Sequence, residues 1–125
     1  MRNRTSTAVL TTKGLTTVYR RWGSGRTVLL LGVSEALALA LGDSFRVIVP
    51  ELPLGFSDFE AAQWLGDVCE GLGIVDAVIV AEAALRDAAS QIAKDAPERV
   101  TGVLIVDLST RDGAGIRAAV ERAFS

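Results

Sequence analysis

Short apolar runs alternate along the chain with longer stretches in which apolar residues recur at helical spacing. Four runs consist almost entirely of aliphatic residues, a composition typical of strands covered on both faces of a sheet. They span residues 27–31, 46–49, 77–80 and 103–106. Helical periodicity lies between and after these runs, so the pattern predicts an α/β domain whose sheet is largely parallel.

Helix signals are strongest after the second of these runs. Residues 57–60 read Ser-Asp-Phe-Glu, a capping-box pattern, and a stripe at helical spacing follows. The stripe contains Ala61, Leu65, Val68 and Leu72. Gly73 can end the helix in a left-handed conformation. We therefore predict a helix to residue 72, an alanine-rich helix over 83–95 and a last helix over 113–124.

Two threonine- and valine-rich runs near the start of the chain predict a β-hairpin. They cover residues 7–12 and 15–22 and are joined by Lys13-Gly14. Gly23-Ser24-Gly25 precedes a strand rather than linking a strand to a helix, so it is interpreted as a turn. The sequence contains no dinucleotide-binding or phosphate-loop motif, and we predict no cofactor. The nearby basic residues Arg20, Arg21 and Arg26 are interpreted as a solvated hairpin face.

Composition favours a single domain covering residues 1–125. Half of the residues are hydrophobic, and 13 basic and 15 acidic side chains are interspersed to give a net charge of −2. Without a charged patch, neither nucleic acid nor a membrane is expected as a partner. Cys69 is the only cysteine, and the first residues lack the apolar stretch of a signal peptide. These features predict a cytoplasmic protein with a buried, inert thiol.

The segment over residues 78–85, Val-Ile-Val-Ala-Glu-Ala-Ala-Leu, passes from an apolar strand into a helix. It resembles the nucleophile elbow Gly-x-Ser-x-Gly of the α/β-hydrolase family, in which a sharp turn presents a serine above a parallel sheet. Residues 18–25 are similar to that family's second strand and turn, 45–53 to its fourth strand, and 96–107 to the stretch leading into its sixth. The resemblance covers residues 9–108 and rests on the order of these segments.

The resemblance implies a three-layer α/β sandwich with a mostly parallel sheet of about six strands and an N-terminal β-hairpin, a truncated α/β-hydrolase fold. It also implies that the chemistry is missing. Ala81, Ala83 and Leu85 occupy the three fixed positions of the elbow, with Glu82 between the first two. The chain contains no histidine, the usual general base of a Ser-His-Asp triad. We therefore predict no catalytic residue.

A candidate ligand crevice is expected at the carboxyl ends of neighbouring strands, where open α/β sheets bind ligands. It contains Gly32, Val33, Ser34, Glu82 and Asp107. These residues could bind a small molecule, or Glu82 could act as a general base. The favoured interpretation is structural, because Ser34 can cap a helix, Glu82 suits a helix N-terminus and Asp107 can accept hydrogen bonds from loop amides. No metal site is predicted.

The end of the chain predicts an interaction between two copies. The sixth strand, which contains Gly102, would be an exposed apolar sheet edge, and the last helix, which ends near Phe124, carries an apolar stripe. A homodimer paired through this strand and helix would bury both features. A helix folded over its own edge would instead leave a monomer.

Three functional classes fit these residues. The first is a non-catalytic protein that binds a small molecule or serves as an assembly subunit. The second is a hydrolase-like enzyme for an ester, thioester or epoxide, with an unorthodox or partner-completed site. The third is a shortened relative that associates with a full-length member of the family. Ala83 and the lack of histidine favour the first class.

Overall fold

The computed structural model describes residues 6–12, 15–32, 41–42, 44–51, 58–106 and 113–124. Within these ranges, six strands form one sheet and three α-helices flank it. The strands are β1 (Ser6–Thr12), β2 (Leu15–Trp22), β3 (Thr27–Leu31), β4 (Arg46–Pro50), β5 (Ala77–Glu82) and β6 (Val100–Val106). The helices are α1 (Asp58–Gly71), α2 (Arg86–Asp95) and α3 (Gly113–Phe124). None of these helices combines the length and apolar character that crossing a membrane requires.

The sheet has the strand order β1-β2-β4-β3-β5-β6. The β1–β2 and β2–β4 pairs are antiparallel, whereas β3 pairs in parallel with both β4 and β5, and β5 pairs in parallel with β6. The predicted hairpin and the mostly parallel sheet are therefore confirmed. The interior position of β3 and β5 fits their apolar runs over residues 28–31 and 77–81, because both faces of each strand are covered.

Alternation along β3 and β5 divides the core into two layers. Leu29 and Ile79 point to one face of the sheet and pack with residues of α1 and α2. Val28 and Val78 point to the other face and pack with residues of α3 and with Phe45. Successive side chains of a strand point to opposite faces, so two adjacent strands supply both layers. The result is the predicted three-layer arrangement.

Helix α1 is fixed to the sheet by a buried polar contact as well as by its apolar stripe. Trp64 is buried, and its indole Nε1 donates a hydrogen bond to the Thr17 hydroxyl of β2 over 2.8 Å. A buried indole N–H needs such an acceptor, since an unmade hydrogen bond is costly in the interior. The interpretation of Trp64 as a core residue is confirmed. Trp22 is also buried, on the opposite face of the sheet.

Helix α3 buries its apolar stripe against its own chain. Ile116 and Val120 are 9% and 0% exposed and belong to the layer formed with β5 and β6. At the end of the helix, the Arg26 guanidinium donates a hydrogen bond to the Phe124 carbonyl over 3.0 Å. The Phe124 ring stacks on Phe45, with centroids 5.8 Å apart. Helix α3 therefore packs on its own sheet in the described structure, and pairing of two copies stays a prediction.

Candidate functional site

The strand-to-helix turn after β5 is where the sequence resemblance concentrates. Strand β5 ends at Glu82, a single 3₁₀ turn covers Ala83–Leu85, and α2 begins at Arg86. The predicted helix over 83–95 is thus two elements, because the first three residues follow the tighter 3₁₀ geometry. Ala83 is exposed at this turn, and its methyl group offers no nucleophile.

The backbone of this turn is relaxed. Glu82 has the extended angles φ −74° and ψ 161°. Among the described residues other than glycine, Asp76 alone has a positive φ, so Ala83 does not adopt a left-handed conformation. A nucleophile elbow presents its serine on a strained turn. The strand-to-helix order of the elbow is therefore present in the chain, but the turn has neither a serine side chain nor a strained backbone.

Gly32 and Glu82 meet at the carboxyl ends of β3 and β5. Leu31 pairs with Ala81, so the residues that follow them lie side by side. Gly32 has φ +72°, and a Cβ atom at this position would lie 2.8 Å from Glu82 Cγ and 3.3 Å from Leu85 Cδ1. The side chain of Glu82 thus lies against the Gly32 backbone. This juxtaposition follows from the parallel register that the apolar runs predicted.

The structure describes only some of the other residues predicted near this crevice. Val33, Ser34 and Asp107 lie outside the described residues. Ala81 is fully buried, and Leu85 is half-buried against the α1–α2 side of the core. Glu82 makes no side-chain capping hydrogen bond at the start of the 3₁₀ turn. Of the predicted crevice, the described residues therefore bring together Gly32 and Glu82, and a binding role for the crevice stays a prediction.

The buried thiol of Cys69 is not a replacement nucleophile. Cys69 is fully buried on α1, and burial raises its pKa from 9.0 to about 11, although the charge of Arg99 acts in the opposite direction. A thiol attacks as its thiolate, so a raised pKa and a lack of access both suppress reactivity. The interpretation of Cys69 as a buried residue is confirmed. No group of three potential metal ligands occurs in the described ranges.

We expect Cys69 to be unreactive in the folded protein, and stability to depend on its titration. Iodoacetamide should modify the thiol only after denaturation.

The unfolded thiol ionises near pH 9, whereas the folded thiol stays protonated up to about pH 11. The stability of the wild type relative to Cys69→Ala should therefore fall by about 2 kcal/mol from pH 9 to 11. Urea titrations at several pH values measure this difference, and a constant difference would contradict it.

A second concave region lies at the opposite, amino edge of the sheet. This amino-edge cleft has a volume of about 420 Å³ and is lined by Gly25, Arg26, Thr27, Val75, Asp76, Thr101 and Phe124. The lining comes from the segments before β3 and β5, from β6 and from the end of α3. Sequence reasoning missed this cleft, since it treated Arg26 only as a solvated hairpin residue. No local motif signals it, because its residues come from distant parts of the chain.

Comparison with known proteins shows which fold this arrangement represents. Neither a protein-family model nor a curated protein sequence matches the chain. Among solved structures, Cfl2 from Burkholderia cenocepacia superimposes with a TM-score of 0.74 at 22% sequence identity, over 83% of this chain and 42% of that one. The epoxide hydrolase CorEH gives a TM-score of 0.73 at 22% identity, over 84% and 43%. The chain has an α/β-hydrolase fold.

A third similar structure extends this α/β-hydrolase match along most of the chain. A loop variant of the haloalkane dehalogenase DbeA from Bradyrhizobium elkanii covers 97% of this chain and 49% of its own, with a TM-score of 0.73 at 21% identity. The chain thus spans less than half the length of each of these three proteins. The fold expected from the order of the sequence segments is confirmed.

Proposed function

We propose that this α/β-hydrolase-fold chain is a non-catalytic subunit of an assembly. The observation that carries the proposal is the turn after β5, where Ala83 stands in the position of the nucleophile on a relaxed 3₁₀ turn. The chain also has no histidine to act as the usual base. Its neighbours of known structure include an epoxide hydrolase and a haloalkane dehalogenase, which supports a hydrolase-like ancestry for the scaffold. A scaffold of this kind can be retained for its surfaces.

Restoring the serine should not restore hydrolysis. In Ala83→Ser the hydroxyl would be exposed, but it would have neither an imidazole to accept its proton nor a strained turn to aim it. We expect turnover of p-nitrophenyl acetate by this variant to equal that of Ala84→Ser, a control in which the hydroxyl is one residue further along the same exposed turn. Burst and steady-state absorbance measurements test this. Hydrolysis by Ala83→Ser that clearly exceeds the control would contradict a non-catalytic role.

We infer that the assembly surface is the free edge of β6 and that its partner is a second copy of the chain. β6 is the outermost strand of the described sheet. Its seven residues include no charged or proline residue, and Val103, Leu104 and Ile105 are only half-buried. Proteins usually protect an edge with charge, proline or a cover. A strand edge can pair with its own copy about a twofold axis, which closes the contact without leaving a new edge.

The position of α3 restricts the proposed assembly surface to β6. Its apolar residues Ile116 and Val120 are already buried against the same chain, so they need no partner. Gly102 allows this close packing, because a Cβ atom there would approach Ala123 Cβ to 3.3 Å. The helix packs on one face of β6, so the proposed surface for the second copy is the backbone edge of β6 alone. The oligomeric state of the purified chain tests this surface.

A further inference from the structure

We propose that the amino-edge cleft binds a small zwitterion with an apolar side chain, such as an aliphatic α-amino acid. This inference goes beyond the assembly role, because the cleft lies at the opposite edge of the sheet from the turn after β5. Of the residues that line the cleft, Thr101 alone belongs to β6, the strand proposed to pair with a second copy. Three independent features of the cleft carry it: its charges, its backbone geometry and its apolar walls.

Two opposite charges line the cleft without pairing with each other. No ion pair or hydrogen bond joins Arg26 to Asp76 among the interactions of the described residues, although both side chains are exposed and line the same concavity. The Arg26 guanidinium is held in place by the Phe124 carbonyl, to which Nη1 donates. An arginine has five N–H donors, so others stay available for a carboxylate. Asp76 offers a carboxylate that can accept hydrogen bonds from an ammonium group.

Asp76 has an unusual backbone conformation. Its φ of +55° lies in the left-handed region, which aspartate and asparagine tolerate better than other side-chain-bearing residues. Two neighbouring contacts hold this segment, since the Ala77 amide donates to the Arg99 carbonyl over 2.9 Å and Arg99 Nη1 donates to the Ile74 carbonyl over 3.1 Å. These contacts fix the backbone from which the Asp76 side chain lines the cleft.

A β-bulge brings a further polar side chain to the same cleft. Ala77 pairs with Val100 and Val78 pairs with Gly102, so Thr101 is the extra residue of β6. Bulges re-aim a side chain and recur beside binding sites. Thr101 is exposed and lines the cleft, and Thr27 lines it from the start of β3. Each carries a hydroxyl that can donate or accept a hydrogen bond.

Val75 and Phe124 supply the apolar part of a mostly polar lining, and this part fits a hydrocarbon side chain. Val75 is 57% exposed, so much of its side chain is open to contact with a ligand. Phe124 lines the cleft with its ring beneath Arg26, whose guanidinium carbon lies 5.1 Å from the ring centroid. A volume of about 420 Å³ lies within the common range of small-molecule sites, about 300–1,000 Å³. An aliphatic side chain against Val75 and Phe124 would remove apolar surface from water.

Three matched ligands test the chemistry of this site. L-leucine has both charges, N-acetyl-L-leucine lacks the ammonium group, and L-leucinamide lacks the carboxylate. In ¹⁵N-correlation NMR titrations of the full chain, leucine should shift the amides of Gly25, Thr27 and Asp76 and should bind about tenfold more tightly than either derivative. Equal affinity for all three ligands would overturn the zwitterion assignment. The lack of any leucine-dependent shift at millimolar concentrations would overturn the site itself.

Two variants separate binding from folding. Asp76→Asn removes the charge but keeps a residue that tolerates the left-handed conformation, so the fold should be unchanged. We expect it to weaken leucine binding about tenfold, whereas Asp87→Asn, which removes an exposed charge on α2, should leave binding unaltered. Amide spectra of both variants report whether the fold is intact. Unchanged leucine affinity in a folded Asp76→Asn protein would overturn the role of Asp76.

Discussion

The Gly23→Ala substitution should lower the free energy of unfolding by about 3–5 kcal/mol. Gly23 has φ +78°, which a side chain tolerates poorly. A Cβ atom there would also lie 2.6 Å from the Gly42 carbonyl oxygen and still closer to the Phe45 carbonyl oxygen. Both obstacles are backbone atoms, so no side-chain rotation can relieve them. The turn between β2 and β3 would have to move away from the segment that leads into β4.

Gly73→Ala is the matched control for this effect. Gly73 also has a left-handed backbone, with φ +66°, but nothing lies within 4 Å of the position that its Cβ atom would occupy. The free energy of unfolding of the control should therefore fall only by the cost of the left-handed conformation, about 1–2 kcal/mol. Urea denaturation followed by tryptophan fluorescence measures both variants. Equal losses for the two variants would show that the close packing of the Gly23 turn does not contribute to stability.

Pairing of two copies through β6 should be abolished or weakened about tenfold by a lysine on this strand. In Val103→Lys, twofold symmetry would place two like charges at one junction, and like charges close together across strands destabilise pairing. Val103 is half-buried and packs at the border of the layer formed with α1 and α2, so the flexible lysine stem can lie along this border and extend its amine to water. Sedimentation velocity over a range of concentrations should show a dimer for the wild type and a monomer for the variant.

The control for this experiment adds the same charge elsewhere. Gln91 is exposed on α2, and Gln91→Lys should leave the dimer unchanged. Circular dichroism of both variants establishes that they are folded. A wild-type chain that sediments as a monomer at every concentration would contradict pairing through β6. A dimer that withstands Val103→Lys would place the contact on another surface.

Much of the fold could be predicted because an apolar composition indicates a strand that is covered on both faces of the sheet. Residues 28–31 and 77–80 are apolar without interruption, and both runs proved to lie in interior strands of the sheet. The start of β6 was harder to predict. This strand begins at Val100, three residues before the predicted run, because Thr101 and Gly102 break the apolar pattern while still belonging to the strand. Thr101 sits at a bulge, and local composition does not reveal a bulge.

The candidate sites likewise contain features that could be predicted from the sequence and features that could not. The meeting of Gly32 and Glu82 could be predicted, because parallel strands place their carboxyl ends at one edge. The 3₁₀ turn at Ala83 could not, since alanine favours either helical geometry. The amino-edge cleft depends on the positive φ of Asp76 and on the position of α3, which arise from tertiary packing. Such sites become visible only when distant segments are placed together.

The scaffold around Ala83 is regular, although this residue itself offers no nucleophile. Strand β5 and the register of its neighbours are intact around the turn, and β3 still ends at a glycine beside it. What the described turn lacks is a nucleophile and a strained backbone. Glu82 is the one ionisable side chain within residues 77–85, so its carboxylate is the candidate general base of this turn.

The most direct test of the central claim is therefore a turnover assay of the purified wild-type chain beside Glu82→Gln, with ester, thioester and epoxide substrates. The glutamine keeps the size of the side chain and removes its ability to act as a general base. We expect both proteins to match the rate of the uncatalysed reaction for every substrate class. Wild-type turnover that disappears in Glu82→Gln would contradict the non-catalytic account and identify Glu82 as the base of an unorthodox hydrolase.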